Sequence, residues 1–570
     1  MLLCVSALNV FAQNKYVTNG TVMESGSTYA AISNRAALQV TGSLGSYSGT
    51  DLTLSSTFSE ANGRYGAIVG GQARLALSGG TITTTGSNGY GVYATGSSLA
   101  TVNRVTIITQ GVSGYGLSVN NSSTMRATGV SVTSSGSSVN GFRVNGPGSY
   151  LNGADCLVDI ANGAIGAVTE GGVLELSDLQ ATVRAGSAFH LTGGTISVTG
   201  GALAVTFRAE DEKGLIYVTG GTNSLTLDQV QVRHDGNYAL RASGSNDTTI
   251  NLISTATLSG TAEFFDATHA TVNLSDGSAM HSDAMLITGS STVEFNLAAS
   301  TLTGNTIAGD DSSVAITGSA GSVITGALTG NDNAVIDLTV SGPGSSFTGD
   351  IAQHDDSTIT VILDTGATGS GGFAGGNLIT GGDSAWTFDK DSHGNYGENN
   401  GVWNIGDYEV IFDNMLHTGT VNLSVNSDTG EGGSITVTDT ADGDGIVHID
   451  TTGNGQLNPN DVLPGIVSGD GTEHWQWDPI DWGIDTIIKD GDHFVKQGTS
   501  PAGAVLNSSV AIQQAMWFAQ QNSLLKRMGE LRYGARASRP LADKDVRVPY
   551  NSLIENIWLR SYGQQLNVGS

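Results

Sequence analysis

Positive charge is what this chain has least of. Lys and Arg total 23 in 570 residues against 52 Asp and Glu, for a formal net charge of −29. All charged residues together make up 13%, where a soluble domain ordinarily carries about 25%. A binder of nucleic acid or of an anionic membrane needs a basic footprint, so both classes are excluded over most of the length and no nucleic-acid partner is expected. Cysteine is almost missing too: Cys4 and Cys156 are the only two. Without a disulfide framework, a large chain must be held by repetitive hydrogen bonding and packing. Pro occurs eight times, and the 81 Gly follow no three-residue period. That excludes collagen, and Pro plus Gly stay below the share of a disordered tract. The apolar run Leu2–Phe11 (LLCVSALNVF) is too short to span a bilayer. Trp is absent before Trp386.

What is present is repetition. Tyr65-Gly66, Tyr90-Gly91, Tyr115-Gly116 and Asn140-Gly141 recur every 25 residues, and Ile165-Gly166 continues the series. Each pair opens a short run such as GAIVGG, GVYATG or GLSVNN. The period then loosens to about 22–25 residues, with roughly three runs of four to six residues per period. In each run apolar residues alternate with Ser or Thr, and Gly, Asn, Asp or Ser separate the runs, which is the pattern of strands joined by sharp turns. Three short strands per coil predict an all-β, right-handed parallel β-helix, with Val, Ile, Leu and Ala inside and Thr, Ser and Asn outside. A β-propeller would repeat near ~40 residues with periodic aromatics, and the missing Trp argues against it. About 360 residues at ~24 per coil give about 15 coils.

Composition marks the boundaries. Residues 1–500 hold 15 basic and 48 acidic groups, whereas residues 501–570 hold 8 and 4. The expected order is a signal peptide over 1–12, atypical in lacking a basic n-region but ending in Val10-Phe11-Ala12; a β-helix over 13–385; a β-rich capping segment over 386–504, where Trp and acids gather; a helix over 505–535 with Ser508 or Ser509 as N-cap; and a linker with one strand over 536–570. In that last strand Trp558, Arg560 and Tyr562 share a face.

This order of parts resembles the type V autotransporters with a pertactin-like passenger. The segment Asn522–Arg532, which contains Lys526-Arg527-Met528-Gly529, is similar to that family's helix-and-linker motif. Ile557-Trp558-Leu559-Arg560 is similar to the opening of its first barrel strand. The resemblance implies export across the inner membrane, passage through an outer-membrane β-barrel with its assembly machinery, a helix in the pore, and an autochaperone role for 386–504. It places the chain at the Gram-negative outer membrane, with the passenger extracellular. It also implies that the barrel is cut off after Ser570, since its many ~10-residue strands are missing. In some relatives an Asn in the helix cyclises and releases the passenger. The matching bond here is Asn522–Ser523, although Ser523 and Gln520 replace the family's Asn and acid.

Candidate chemistry is sparse. Gly382-Asp383-Ser384 and Gly498-Thr499-Ser500 have nucleophile-like spelling without partner motifs. Asp310-Asp311 and Asp355-Asp356 offer carboxylates for a lyase or glycosidase, but residues 242–389 contain no Arg or Lys. Asp450, Asn454 and Asp461 weakly echo a calcium loop. The expectation is a non-enzymatic, surface-displayed passenger without cofactor, acting as adhesin or aggregation factor on a host or bacterial surface protein or glycan. The alternatives are a β-helical carbohydrate-active enzyme and a purely structural rod.

Overall fold

The computed structural model describes residues 12–31, 35–58, 64–205, 214–234, 238–254, 256–491 and 493–537. The alternating runs close into coils. Strands Tyr90–Ala94, Leu99–Asn103 and Thr106–Thr109 make one turn. Each pairs in parallel, in register, with Tyr115–Asn120, Thr124–Thr128 and Ser131–Ser134 of the next. Repeated, this gives a parallel β-solenoid of about 18 turns with a C-terminal helix. Period-two alternation places Ala100, Val102 and Ile107 fully inside, while Thr101 faces out. Two compact units are distinguishable: one runs to Leu423 and takes in Gly432–His448 and Pro464–Gln476, and the other comprises Ser424–Glu431, Ile449–Leu463 and the chain from Trp477 on.

The Tyr-Gly pairs stack one above another: Tyr65 on Tyr90, Tyr90 on Tyr115 and Tyr115 on Asn140. The glycines serve close approach. A Cβ on Gly91 would stand 2.4 Å from Ile107 Cγ2 and 2.5 Å from the Gly116 carbonyl oxygen. The opposite wall fills the space a side chain would take. Gly91→Val is therefore expected to lower stability by about 1–3 kcal/mol or more, read as a shifted urea midpoint.

The fifth pair departs from the expected register. Asn140 lies on Ala164 and Phe142 on Gly166, so this turn is one residue short and Gly166 leaves the glycine column. Later turns shorten further. Thr360 pairs with Asn377, Asn377 with Tyr396 and Tyr396 with Asn414, steps of 17, 19 and 18 residues.

No break occurs at residue 385. Trp386 sits on Trp403 inside the ladder, and both are fully buried. These aromatics fill the cores of continuing coils and do not begin a separate capping segment, which is why the solenoid exceeds the 15 coils expected.

In the smaller unit, strands Ile480–Trp482, Asp485–Asp490 and His493–Thr499 form an antiparallel sheet. The long helix spans Pro501–Ala537 and starts earlier than 505. Ser500 caps it: its Oγ accepts from Gly503 N at 3.0 Å, and Pro501 occupies the first helical position. Ser508 and Ser509 instead donate back to the Val505 and Leu506 carbonyls. Among the described residues no helix is long and apolar enough to cross a membrane, which says nothing of a barrel. Residues 1–11 and 538–570, with Cys4, Trp558 and Arg560, lie outside the described residues.

Candidate binding face

The carboxylate pairs suggested by the sequence are turn residues. Asp310, Asp332 and Asp355 adopt φ of 56°, 55° and 54°, a left-handed conformation that Asp tolerates. Each accepts a backbone N–H from the turn before: Gly289 N to Asp310, Asp310 N to Asp332 and Asp332 N to Asp355. Ser384 is buried with no hydrogen-bond partner on its Oγ, and Ser500 is the helix cap. Asp450, Asn454 and Asp461 are not brought together as ligands. The Asn454 N–H and side-chain amide turn to Asp428, Asp461 lies in the short helix Pro459–Val462, and no group of three or more His, Cys, Asp or Glu among the described residues is placed to hold a metal. Asn522, Ser523 and Lys526–Gly529 all fall inside the long helix.

Cys156 is buried, and that burial pushes its thiol up to about 11. A neutral, enclosed thiol is unreactive. Thiol reagents at pH 8 are expected to label Cys156 only after unfolding; fast labelling of the native chain would contradict its placement.

One face of the larger unit differs from the rest. The strands that open each turn, from Tyr65–Gly70 to Thr261–Phe265, carry outward residues in register: Ile68, Tyr93, Ser118, Arg143, Ala167, His190, Tyr217, Arg241 and Glu263. Beside this row stand Tyr65, Tyr90 and Tyr115. The Tyr65 and Tyr93 rings lie 5.1 Å apart at 9°, and those of Tyr90 and Tyr115 are separated by 4.7 Å. Tyr65 and Tyr90 are nearly covered, while Tyr93 and Tyr115 are half-buried. Burial pushes the Tyr90 hydroxyl up, so it stays protonated.

Cations ride on these rings. The Arg64 guanidinium lies 5.1 Å from the Tyr65 centroid and 5.3 Å from that of Tyr90, and Arg143 lies 4.9 Å over Tyr115. Farther along, the His190 ring is 5.1 Å from that of Tyr217, and Arg241 Nε donates to Glu263 at 2.6 Å. An amide row borders the face: Asn145 Nδ2 donates to Asn120 Oδ1 at 3.1 Å, and Asn120 Nδ2 to the Tyr93 hydroxyl at 3.3 Å.

Reading the Tyr-Gly pairs only as period markers misses this face. The available signal was the same 25-residue comb shifted by three positions, which places Tyr93 and Arg143 on it. A second signal was charge: residues 1–241 hold 12 basic and 13 acidic groups, whereas residues 242–423 hold one Lys and 21 acids. The stretch AEDEKG over 209–214, suggested as a contact loop, lies almost wholly outside the described residues. The other suggested segment, YEVIFDN, forms most of the ladder strand Glu409–His417.

No family model matches the chain, and no curated protein matches it. Among solved structures it is similar to the Haemophilus influenzae Hap adhesin, with a TM-score of 0.26 and 11% sequence identity over 76% of this chain and 64% of that one. The chain thus spans less than two thirds of that protein's length.

Proposed function

We propose that the chain is the passenger part of a surface-displayed autotransporter and acts by adhesion or aggregation, not by turnover. The observation that carries the reading is the tyrosine and arginine face, a contact surface extended over many turns. Rigid aromatic rings and guanidinium groups are the side chains that contribute most per residue to recognition. The order of parts supports export: a long solenoid, then a helix of 37 residues that contains Asn522–Arg532. In this reading an outer-membrane barrel and its assembly machinery deliver the passenger to the cell surface, where a host or bacterial surface protein or glycan is the partner.

Cells that display the passenger on a complete barrel are expected to adhere to host cells or to autoaggregate, and cells with the barrel alone are not. Equal behaviour of the two strains would overturn the reading. With Ser523 and Gln520 departing from the family's residues, the passenger is expected to stay joined at Asn522–Ser523. Intact-mass analysis of surface and supernatant fractions checks this, and a fragment ending at residue 522 would contradict it.

A further inference from the structure

We infer that the tyrosine and arginine face binds an extended anionic glycan laid along the solenoid axis, with Arg143 as its central cationic contact. The inference rests on the adhesive reading above and names the class of ligand.

Geometry sets the shape of the ligand. Successive turns step by ~4.8 Å, so the row from Tyr93 to Tyr217 is a comb of evenly spaced positions. Ser118 and Ala167, the residues on either side of Arg143 in that row, are small and only 1% and 5% exposed. Both are covered by their neighbours, and the guanidinium lies toward the Tyr115 ring and the Tyr90 hydroxyl, with Tyr93 two positions away along the row in one direction and His190 two positions away in the other. A repeating polymer fits a repeating comb; a single small molecule would use only one step of it.

Charge sets the sign. In a chain of net −29, the segments that carry this row, together with the adjoining Arg64, offer Arg64, Arg143 and Arg241 against Glu263, with the exposed Glu170 following at the turn after Ala167. Glu263 is already paired with Arg241. The described contacts of Arg64 and Arg143 are with tyrosine hydroxyls and rings, which leaves their charge uncompensated by these partners. A carboxylate or sulfate ester suits the guanidinium fork, and the apolar face of a sugar ring suits an aromatic plane. None of the large hydrophobic side chains that the described residues expose lies on these strands, so the face offers half-covered rings and cations without an exposed aliphatic patch.

The test uses the purified full chain and a heparin-derived oligosaccharide as probe, with dextran as the uncharged comparison. Binding to the sulfated probe alone, weakening with added salt, is expected. Arg143→Gln and Tyr115→Ser should each weaken it at least tenfold with an unchanged circular dichroism spectrum, and Arg184→Gln, in an exposed pair with Asp159, should not. No binding, equal binding of dextran, or equal loss in the Arg184 variant would overturn the inference. If displaying cells adhere normally with Arg143→Gln and the chain ignores the probe, the inference fails while adhesion stands. If the chain binds through Arg143 yet cells neither adhere nor aggregate, the adhesive reading fails and the face stands. Adhesion that needs Arg143 but survives enzymatic removal of acidic glycans would assign a protein partner and overturn the glycan.

Discussion

Trp403→Ala is expected to lower the stability of the larger unit by about 3–5 kcal/mol, the largest effect of any single substitution considered. Trp403 is fully buried in turns that advance by only 17–19 residues. Its ring packs 5.1 Å from Phe412 and 5.8 Å from Phe388, and its Nε1 donates to Thr380 Oγ1 at 2.9 Å. Gly394 and Gly397 make room for this cluster, since a Cβ on them would meet Phe412 and Trp403 at 2.3 and 2.7 Å. Removing the ring leaves a cavity and takes away the one donor that the Trp403 indole aims at Thr380 Oγ1, whose own proton still faces Asn399 Oδ1 and the Glu398 carbonyl. Trp386 offers an internal contrast. Its indole N–H has no hydrogen-bond partner, so Trp386→Phe should cost clearly less than Trp403→Phe. Urea unfolding followed by circular dichroism checks both, and equal costs would contradict the hydrogen bond's contribution. Because stability in a repeat array is local, hydrogen exchange in the Trp403 variant should quicken around residues 380–420 before it does near Tyr90.

Acidification is expected to weaken the same region through His417. The imidazole is fully buried, and burial lowers its pKa to about 4, against the weaker opposing pull of the Ile446 carbonyl and Asp444. Its neutral form is built in. The Asn399 side-chain amide faces Nδ1 at 3.4 Å, and Nε2 reaches the Ile446 carbonyl at 3.2 Å. Asn399 cannot turn round, because its Oδ1 accepts from Gly401 N and Thr380 Oγ1. A proton on Nδ1 would therefore face a donor. With a folded pKa of about 4 and an unfolded value near 6.5, the unfolded chain binds the proton first. The native state is then fully favoured above about pH 6.5 and loses up to about 3 kcal/mol as pH falls to 4. Unfolding free energies of the native sequence and His417→Gln, measured at pH 7 and pH 4, isolate this site from the many carboxylates. Parallel pH slopes would show that His417 does not titrate on unfolding.

The coil was legible in the sequence because it obeys two simple periods at once: alternation along a strand and 25 residues between equivalent positions. Where the outer period drifted, reading became harder. Ile165-Gly166 looks like another Tyr-Gly step, but the turn before it is one residue shorter and Phe142 takes the place over Gly166. The short turns after residue 360 hide their period behind bulky residues, so Trp386 and Trp403 read as a change of domain when they are core. A helix N-cap is a local signal, but three serines compete for it within ten residues, and the pairing of Ser500 with Pro501 won over the later Ser508 and Ser509. The binding face was the least legible part. Tyr93, Arg143, Tyr217 and Arg241 belong to different turns and meet only through register, which no local window reveals.

The uneven placement of acids in the larger unit has a mechanical meaning. Its first 241 residues are nearly neutral, and residues 242–423 carry a net −20 from 21 acids and one Lys. Near a negatively charged cell envelope the two stretches feel unequal force within the ~8 Å reach of electrostatics at physiological salt. At that range the acidic stretch is repelled more strongly than the nearly neutral one. The repulsion at such a surface is therefore smallest over the stretch that carries Tyr65, Tyr90, Tyr93 and Tyr115.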